Sequence, residues 1–258
     1  MSGFILDAES DEEIGRLVPN IDELALQILN LMPDMISIRC HPESIFPITS
    51  VCLQDSINSC FSICHSISEY HAHRIWYLEK CSPPQPRVAG FFMKYYLDYA
   101  VSMLYAAGEH LANALICFYE LKKEDLDPYR RKRASLQSIV GHYLVNEKSN
   151  EFLTHEIVKL AKSTEWNYVN SYRDKWVHEQ PPLLEGLGSV YKRKKRWKVI
   201  IENDKKMYEL GIGLGDSTDT TIDELANNLL ISFIAFIQIV QVLTDEFIKE
   251  LTEIGVFA

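Results

Sequence analysis

The chain has no CxxC pair, no GxGxxG loop, no Gly- and Ser-rich tract and no excess of positive charge. Each absence removes a class of function. The six cysteines, Cys40, Cys52, Cys60, Cys64, Cys81 and Cys117, lie mainly within apolar helical patterns. They read as reduced thiols of a cytoplasmic protein. A net charge of −10 argues against coating nucleic acid non-specifically, because that binding needs many phosphate-neutralising Lys and Arg. A local basic site stays open. The glycines at 211, 213 and 215 (GIGLGD) lack phosphate-loop spacing and a following Lys-Ser/Thr, so turn geometry explains them more simply. The first residues carry Asp7, Glu9, Asp11, Glu12 and Glu13 where a secretory signal has a basic region and an apolar run. An acidic arm is expected there. Leu225 to Leu243 is the most apolar run, but Asn227, Asn228, Ser232, Gln238 and Gln241 interrupt it. It reads as a buried amphipathic helix, with no membrane partner.

What is present is helical periodicity. With 258 residues, 47% of them hydrophobic, the chain can bury a full core. Ile21, Leu24, Ile28 and Leu31 predict a short helix over 20–31, stopped by Pro33. Val51, Leu53, Ile57, Phe61, Cys64, Ile67 and Ile75 predict a long one over 49–79, closed by Pro83, Pro84 and Pro86. Phe92 through Phe118 hold an apolar face over 89–122. Asp127-Pro128 reads as an N-cap and first-turn pair launching a helix to about Val145, which carries Arg130, Arg131, Lys132 and Arg133. Another helix is expected from Asn150 to Glu179 with a break near Ser163 and Thr164. Between Leu187 and Gly215 the pattern changes to that of a β-hairpin around Asn203-Asp204. Thr221 and Glu224 have capping-box spacing and open a final helix to Leu251. The expected fold is all-α: one domain over 1–258, a helical bundle at 89–252 with a small inserted β-hairpin near 196–212, and a helical N-terminal region at 1–80.

The most informative stretch is Arg173-Asp174-Lys175-Trp176-Val177-His178, placed just before Pro181-Pro182. An arginine can grip a phosphate in a bidentate fork, and a histidine can move a proton near neutral pH. In a straight helix Arg173 and His178 are offset by roughly 140°, whereas Asp174 and His178 are neighbours. Asp174 can therefore orient the imidazole. Arg173 reaches the same phosphate either by unwinding of the helix end or, the reading we favour, by two copies of the motif meeting in a symmetric dimer. Such a cleft can deprotonate a ribose 2′-hydroxyl or protonate the leaving oxygen without a metal.

This pattern, an Arg followed by a polar residue and, four positions later, a His at a helix end within an all-α bundle, resembles the RxxxxH signature of the HEPN superfamily. The hairpin ahead of a long final helix is similar to a bacterial subgroup of it. The resemblance implies a dimeric helical bundle acting as a metal-independent endoribonuclease of a toxin–antitoxin or defence system. Arg173 and His178 would be its catalytic pair, Asp174 the polar neighbour, and an antitoxin or other regulatory protein a partner. The alternative is a non-catalytic module that binds a nucleotide or a protein in the same cleft.

Other residues carry weaker signals. Lys192, Arg193, Lys194, Lys195 and Arg196, with Lys198 beyond, are candidate RNA contacts flanked by Tyr191 and Trp197, or else a solvated arm. Glu109 and His110, and more weakly His142, are candidate supporting groups across the bundle. Cys60, Cys64, His65, His71 and His73 include helix-spaced metal-ligand types, but two compact ligand pairs are missing. Neither a metal nor another cofactor is expected.

Overall fold

The structure, a computed structural model, describes Leu26 and residues 46–130, 135–149, 151–178, 191–193, 198–202, 205–209, 212–214 and 220–253. Side chains at 46, 178 and 191–214 lie outside that description. Seven helices of eight or more residues are described. They are α1 (Phe46–Ile75), α2 (Pro86–Phe118), α3 (Lys123–Arg130), α4 (Leu136–Glu147), α5 (Phe152–Lys162), α6 (Thr164–His178) and α7 (Ile222–Glu253). Of the helix expected over 20–31, only Leu26 is described, and it is helical.

The bundle is built on a hairpin of α1 and α2. A wide π turn, Trp76–Lys80, ends α1, and the proline-rich connection follows. Alanine and glycine on α2 (Ala89, Gly90, Ala100, Ala107, Gly108) are buried, so α1 approaches closely enough for Ser56 Oγ to donate to the Ala107 carbonyl at 3.1 Å. α7 crosses this layer and contacts α1, α2, α5 and α6. Its Leu225, Leu229, Phe233, Phe236, Val240, Leu243, Phe247 and Leu251 follow one another at steps of three or four residues, and all are essentially inaccessible. This is the stripe that 3.6 residues per turn produces. Asn227, Gln238 and Gln241 fall on the exposed face, so their amides reach water. Both α2 and α7 are long and apolar enough to cross a membrane by length and composition. Here their apolar stripes are used in the core.

Several boundaries differ from expectation for local reasons. α2 stops at Phe118 rather than 122 because the chain turns in a Schellman arrangement. Leu121 N–H donates to the Ile116 carbonyl at 2.9 Å and Glu120 N–H to that of Cys117 at 3.1 Å. Glu120 takes φ 50° there, at a cost of about 1 kcal/mol relative to glycine. Asp127-Pro128 does not start a helix. α3 begins a turn earlier, at Lys123, with Pro128 inside it. The Asp125 carboxylate accepts from Lys122 N–H at 2.7 Å and Leu126 is buried, so capping and burial fix the start upstream. Arg130 ends α3 and pairs with Asp127 at 3.6 Å; residues 131–134 lie outside the described residues. The next helix starts separately at Ser135, whose Oγ accepts from Ser138 N–H at 3.4 Å. The break near Ser163 and Thr164 is a full one: Ser163 is extended, with ψ 143°, and its Oγ accepts from Trp166 N–H at 3.1 Å to cap α6. Thr221 Oγ1 likewise accepts from Glu224 N–H at 3.0 Å to open α7.

Short backbone segments are described between α6 and α7. Tyr191–Arg193 lies antiparallel to Ile212–Leu214, with Tyr191 opposite Leu214. Lys198–Glu202 lies antiparallel to Lys205–Glu209, with Lys198 opposite Glu209. The turn at 203–204, residues 194–197 and all side chains of this stretch lie outside the described residues.

Two predictions arise from packing. Gly141 sits inside α4, and a Cβ added there would meet only Ile157 Cγ2, at 3.7 Å. Gly141→Ala should therefore stabilise the protein by about 0.5–1 kcal/mol through reduced backbone freedom. A thermal melt showing a lower midpoint would contradict it. The second concerns His71, whose Nδ1 is buried without a partner. Burial first, and Arg74 second, push its pKa down from 6.5 to about 4. The unfolded chain then binds more protons than the native one between those values, so stability is full above pH 6.5 and falls as pH drops toward 4. His71→Asn should flatten that slope in melts taken across the window; parallel slopes in the two proteins would show that His71 is not its source.

Candidate functional site

The motif occupies the last turns of α6, whose backbone is helical through His178. Three contacts made by side chains of α6 fix its rotation. The Trp166 ring lies parallel to that of Phe236 on α7, with centroids 6.1 Å apart. Tyr172, only 4% exposed, donates to Asp98 Oδ1 on α2 at 2.6 Å. The Arg173 guanidinium lies over the Tyr105 ring of α2, 3.9 Å from its centroid. A cation on an aromatic face is held electrostatically and keeps its in-plane N–H groups directed outward.

Asp98 is shared. Lys94 Nζ donates to its other oxygen at 2.5 Å, and the Lys94 and Asp98 side chains are 22% and 12% exposed. Burial and the adjacent Asp98 carboxylate push the Tyr172 phenol well above its usual pKa, so the phenol stays a donor. This triad locks α6 to α2 beside the motif. Asp98 meets the motif's helix at Tyr172, the residue before Arg173.

Arg173 and Asp174 are among the residues that line a cleft of about 610 Å³ between α2, α4, α5, α6 and α7. Arg173 Nη1 donates to Asp174 Oδ1 at 3.1 Å, with side-chain exposures of 20% and 62%. A pair between sequence neighbours, one largely in water, is weak and exchangeable. An incoming anion can replace Asp174 on the guanidinium. Position 178 follows 174 by one helical turn, and the His178 side chain lies outside the described residues.

Of the supporting candidates, Glu109 has a definite task. Its two carboxylate oxygens accept from the backbone N–H groups of Leu136 and Gln137, at 3.1 and 3.2 Å. It caps α4 from another helix, which satisfies donors that the helix start leaves unpaired. Burial, followed by Glu109, raises the pKa of the Tyr105 phenol, and Arg173 opposes the rise. Glu109, Tyr105 and Arg173 thus form one electrostatic neighbourhood. His110 is partly buried on α2, away from the cleft lining, whereas His142 on α4 lines the cleft. The side chains of Lys192, Arg193, Lys194, Lys195 and Arg196 fall outside the described residues. Cys60 and Cys64 are buried, and burial pushes the Cys64 thiol up to about 12 and that of Cys60 higher. Both stay protonated and pack as small apolar groups.

The cleft itself was missed in the sequence. Its walls come from five helices, and no local spacing marks residues that meet only in three dimensions. In comparisons with known proteins, no family model, curated protein or solved structure matches the chain.

Proposed function

We propose that this protein is a cytoplasmic, HEPN-like, metal-independent endoribonuclease, in the manner of toxin–antitoxin or defence systems. Arg173 binds the scissile phosphate, His178 transfers the proton, and Asp174 orients the imidazole. The observation that carries this reading is the placement of Arg173. It is held over Tyr105, lines the cleft and pairs with the largely exposed Asp174, on a helix that runs without interruption to His178.

We favour the two-copy arrangement as the route by which Arg173 and His178 meet, and the helical backbone of α6 through His178 supports it. Apolar side chains around the motif support a homodimer: Trp176 and Val177 are 37% and 45% exposed, and Phe91, Tyr95 and Tyr99 form an exposed line on α2, the helix that α6 joins at Asp98. Solvent-facing aromatic groups at helical spacing suit an interface between copies. In this reading residues 1–258 form one domain, the paired segments between 191 and 214 form an inserted hairpin, and its basic residues 192–196 guide RNA toward the motif. Control by an antitoxin-like protein belongs to the same proposal.

The test is incubation of structured and single-stranded RNAs with wild-type protein in EDTA. Cleavage that disappears in folded His178→Ala supports the proposal; no cleavage, or cleavage unchanged by the substitution, removes it. The second reading, a non-catalytic module that binds a nucleotide or protein, is favoured by the size of the cleft. It predicts binding that survives His178→Ala.

A further inference from the structure

We infer that Cys52 of α1 and Cys117 of α2 form a redox-modification site, a thiol pair that hydrogen peroxide converts reversibly into an intramolecular disulfide. The inference is independent of the ribonuclease proposal. Both cysteines are free and partly exposed, and their side chains meet across the helical hairpin in a hydrogen bond, Cys52 donating to the Cys117 sulfur. Packing alone asks only for a small buried apolar group, which is what Cys60 and Cys64 supply. Cys52 and Cys117 differ from those two in being paired across helices and open to solvent.

The backbone holds the pair together. One turn after Cys52, Ser56 Oγ donates to the Ala107 carbonyl of α2 at 3.1 Å. Ala107 and Ala114 of α2 are fully inaccessible, and side chains this small let packed helices approach closely. A disulfide needs close backbones and sulfurs about 2.05 Å apart. Rotation of two short side chains, already in contact, is the softest way to bring the sulfurs that distance.

The two thiols are not equivalent. Burial pushes both up, but the hydrogen bond from Cys52 opposes the rise at Cys117, whereas Cys117 and the Asp55 carboxylate add to it at Cys52. Cys117 is therefore the easier thiolate to form and attacks first. Its sulfur takes one peroxide oxygen as the O–O bond breaks, giving a sulfenic acid and one water. The Cys52 sulfur then attacks that of Cys117, the S–S bond forms, and the hydroxyl leaves as a second water. Two electrons pass from the thiols to the peroxide, and an added dithiol returns them by exchange. The bridge would close the open end of the hairpin. The proline-rich connection joins the helices at one end, and Cys52 and Cys117 lie near the start of α1 and the end of α2.

Peroxide treatment of the folded full chain, then digestion without reductant and mass spectrometry, tests this. The peptides carrying Cys52 and Cys117 should be recovered joined, lighter by two hydrogens, and dithiothreitol should separate them. The bridged chain should melt about 5–10 °C above the reduced one, because the closed loop takes in most of the hairpin. In folded Cys52→Ser, dimedone should trap the Cys117 sulfenic acid about fivefold or more above its level in wild type, since the resolving thiol is gone. Recovery of the two peptides unlinked after peroxide has oxidised them, or joined only to Cys40 or Cys81, would overturn the inference. A bridge that forms as fast in urea-unfolded chain as in the folded protein would overturn it too, because the fold would then contribute nothing to the pairing. These comparisons use wild type alone, so they decide the matter even if Cys52→Ser does not fold.

Discussion

RNA cleavage in EDTA is expected to fall by about 100- to 10,000-fold when His178 is replaced by alanine, the usual contribution of a positioned acid or base. Arg173→Ala should cost about 100-fold or more, because a guanidinium acting on a phosphate stabilises charge that grows toward the transition state. Arg173→Lys is the sharper variant. It retains the charge but loses the planar fork and the stacking on Tyr105, so it should recover little activity. Thermal melts separate this from damage to the fold: a variant with a wild-type midpoint and no cleavage has lost chemistry. If Arg173→Lys cleaves at the wild-type rate, the arginine is only a diffuse positive charge and the phosphate-fork role is wrong.

Asp98→Ala should be the most destabilising of the polar substitutions considered. It leaves the Tyr172 hydroxyl and the Lys94 ammonium, both of which now reach one carboxylate, without that partner in a largely buried setting. Removing one member of such a set costs about 2–4 kcal/mol, after allowance for the partial exposure of Lys94. Tyr172→Phe removes a single hydroxyl and should cost about 1 kcal/mol. Urea denaturation of the two variants checks the order. A cost for Asp98→Ala no larger than that for Tyr172→Phe would mean that Lys94 gains nothing from the carboxylate. The Tyr172–Asp98 hydrogen bond would then account for the whole effect of the carboxylate.

The sequence was most readable where one helix decides its own fate. The step pattern of Leu225 to Leu251 and the hydroxyl of Thr221 gave α7 its extent to within two residues, because burial of one stripe and a local cap are both encoded nearby. The break at Ser163 was visible for the same reason: serine competes with the helix as a cap. Asp127-Pro128 misled because two rival starts lay within one turn. Asp125 reached back to Lys122 and Leu126 had a core to enter, and the second fact is not local. The motif residues were likewise placed on the last turns of α6 from spacing alone. The partners that aim them, Tyr105 and Phe236, stand 68 and 70 positions away from Arg173 and Trp166 and carry no mark in the sequence. Glu109 shows the same limit. Its mid-helix position gave no sign that it caps a different helix.

The break at Ser163 divides the chain into stretches with different tolerance to changes in length. Between Trp166 and Arg173 the three contacts of α6 lie within two turns, and one residue added there advances everything beyond it by about 100°. That would turn the guanidinium off Tyr105 and away from the cleft. Upstream of Ser163, an added residue can be taken up by the extended joint, because no helical hydrogen-bond ladder runs through it to carry the phase error forward. The aim of the motif therefore depends on the spacing within these eight consecutive residues and within the stretch of α2 from Asp98 to Tyr105 that receives two of their contacts.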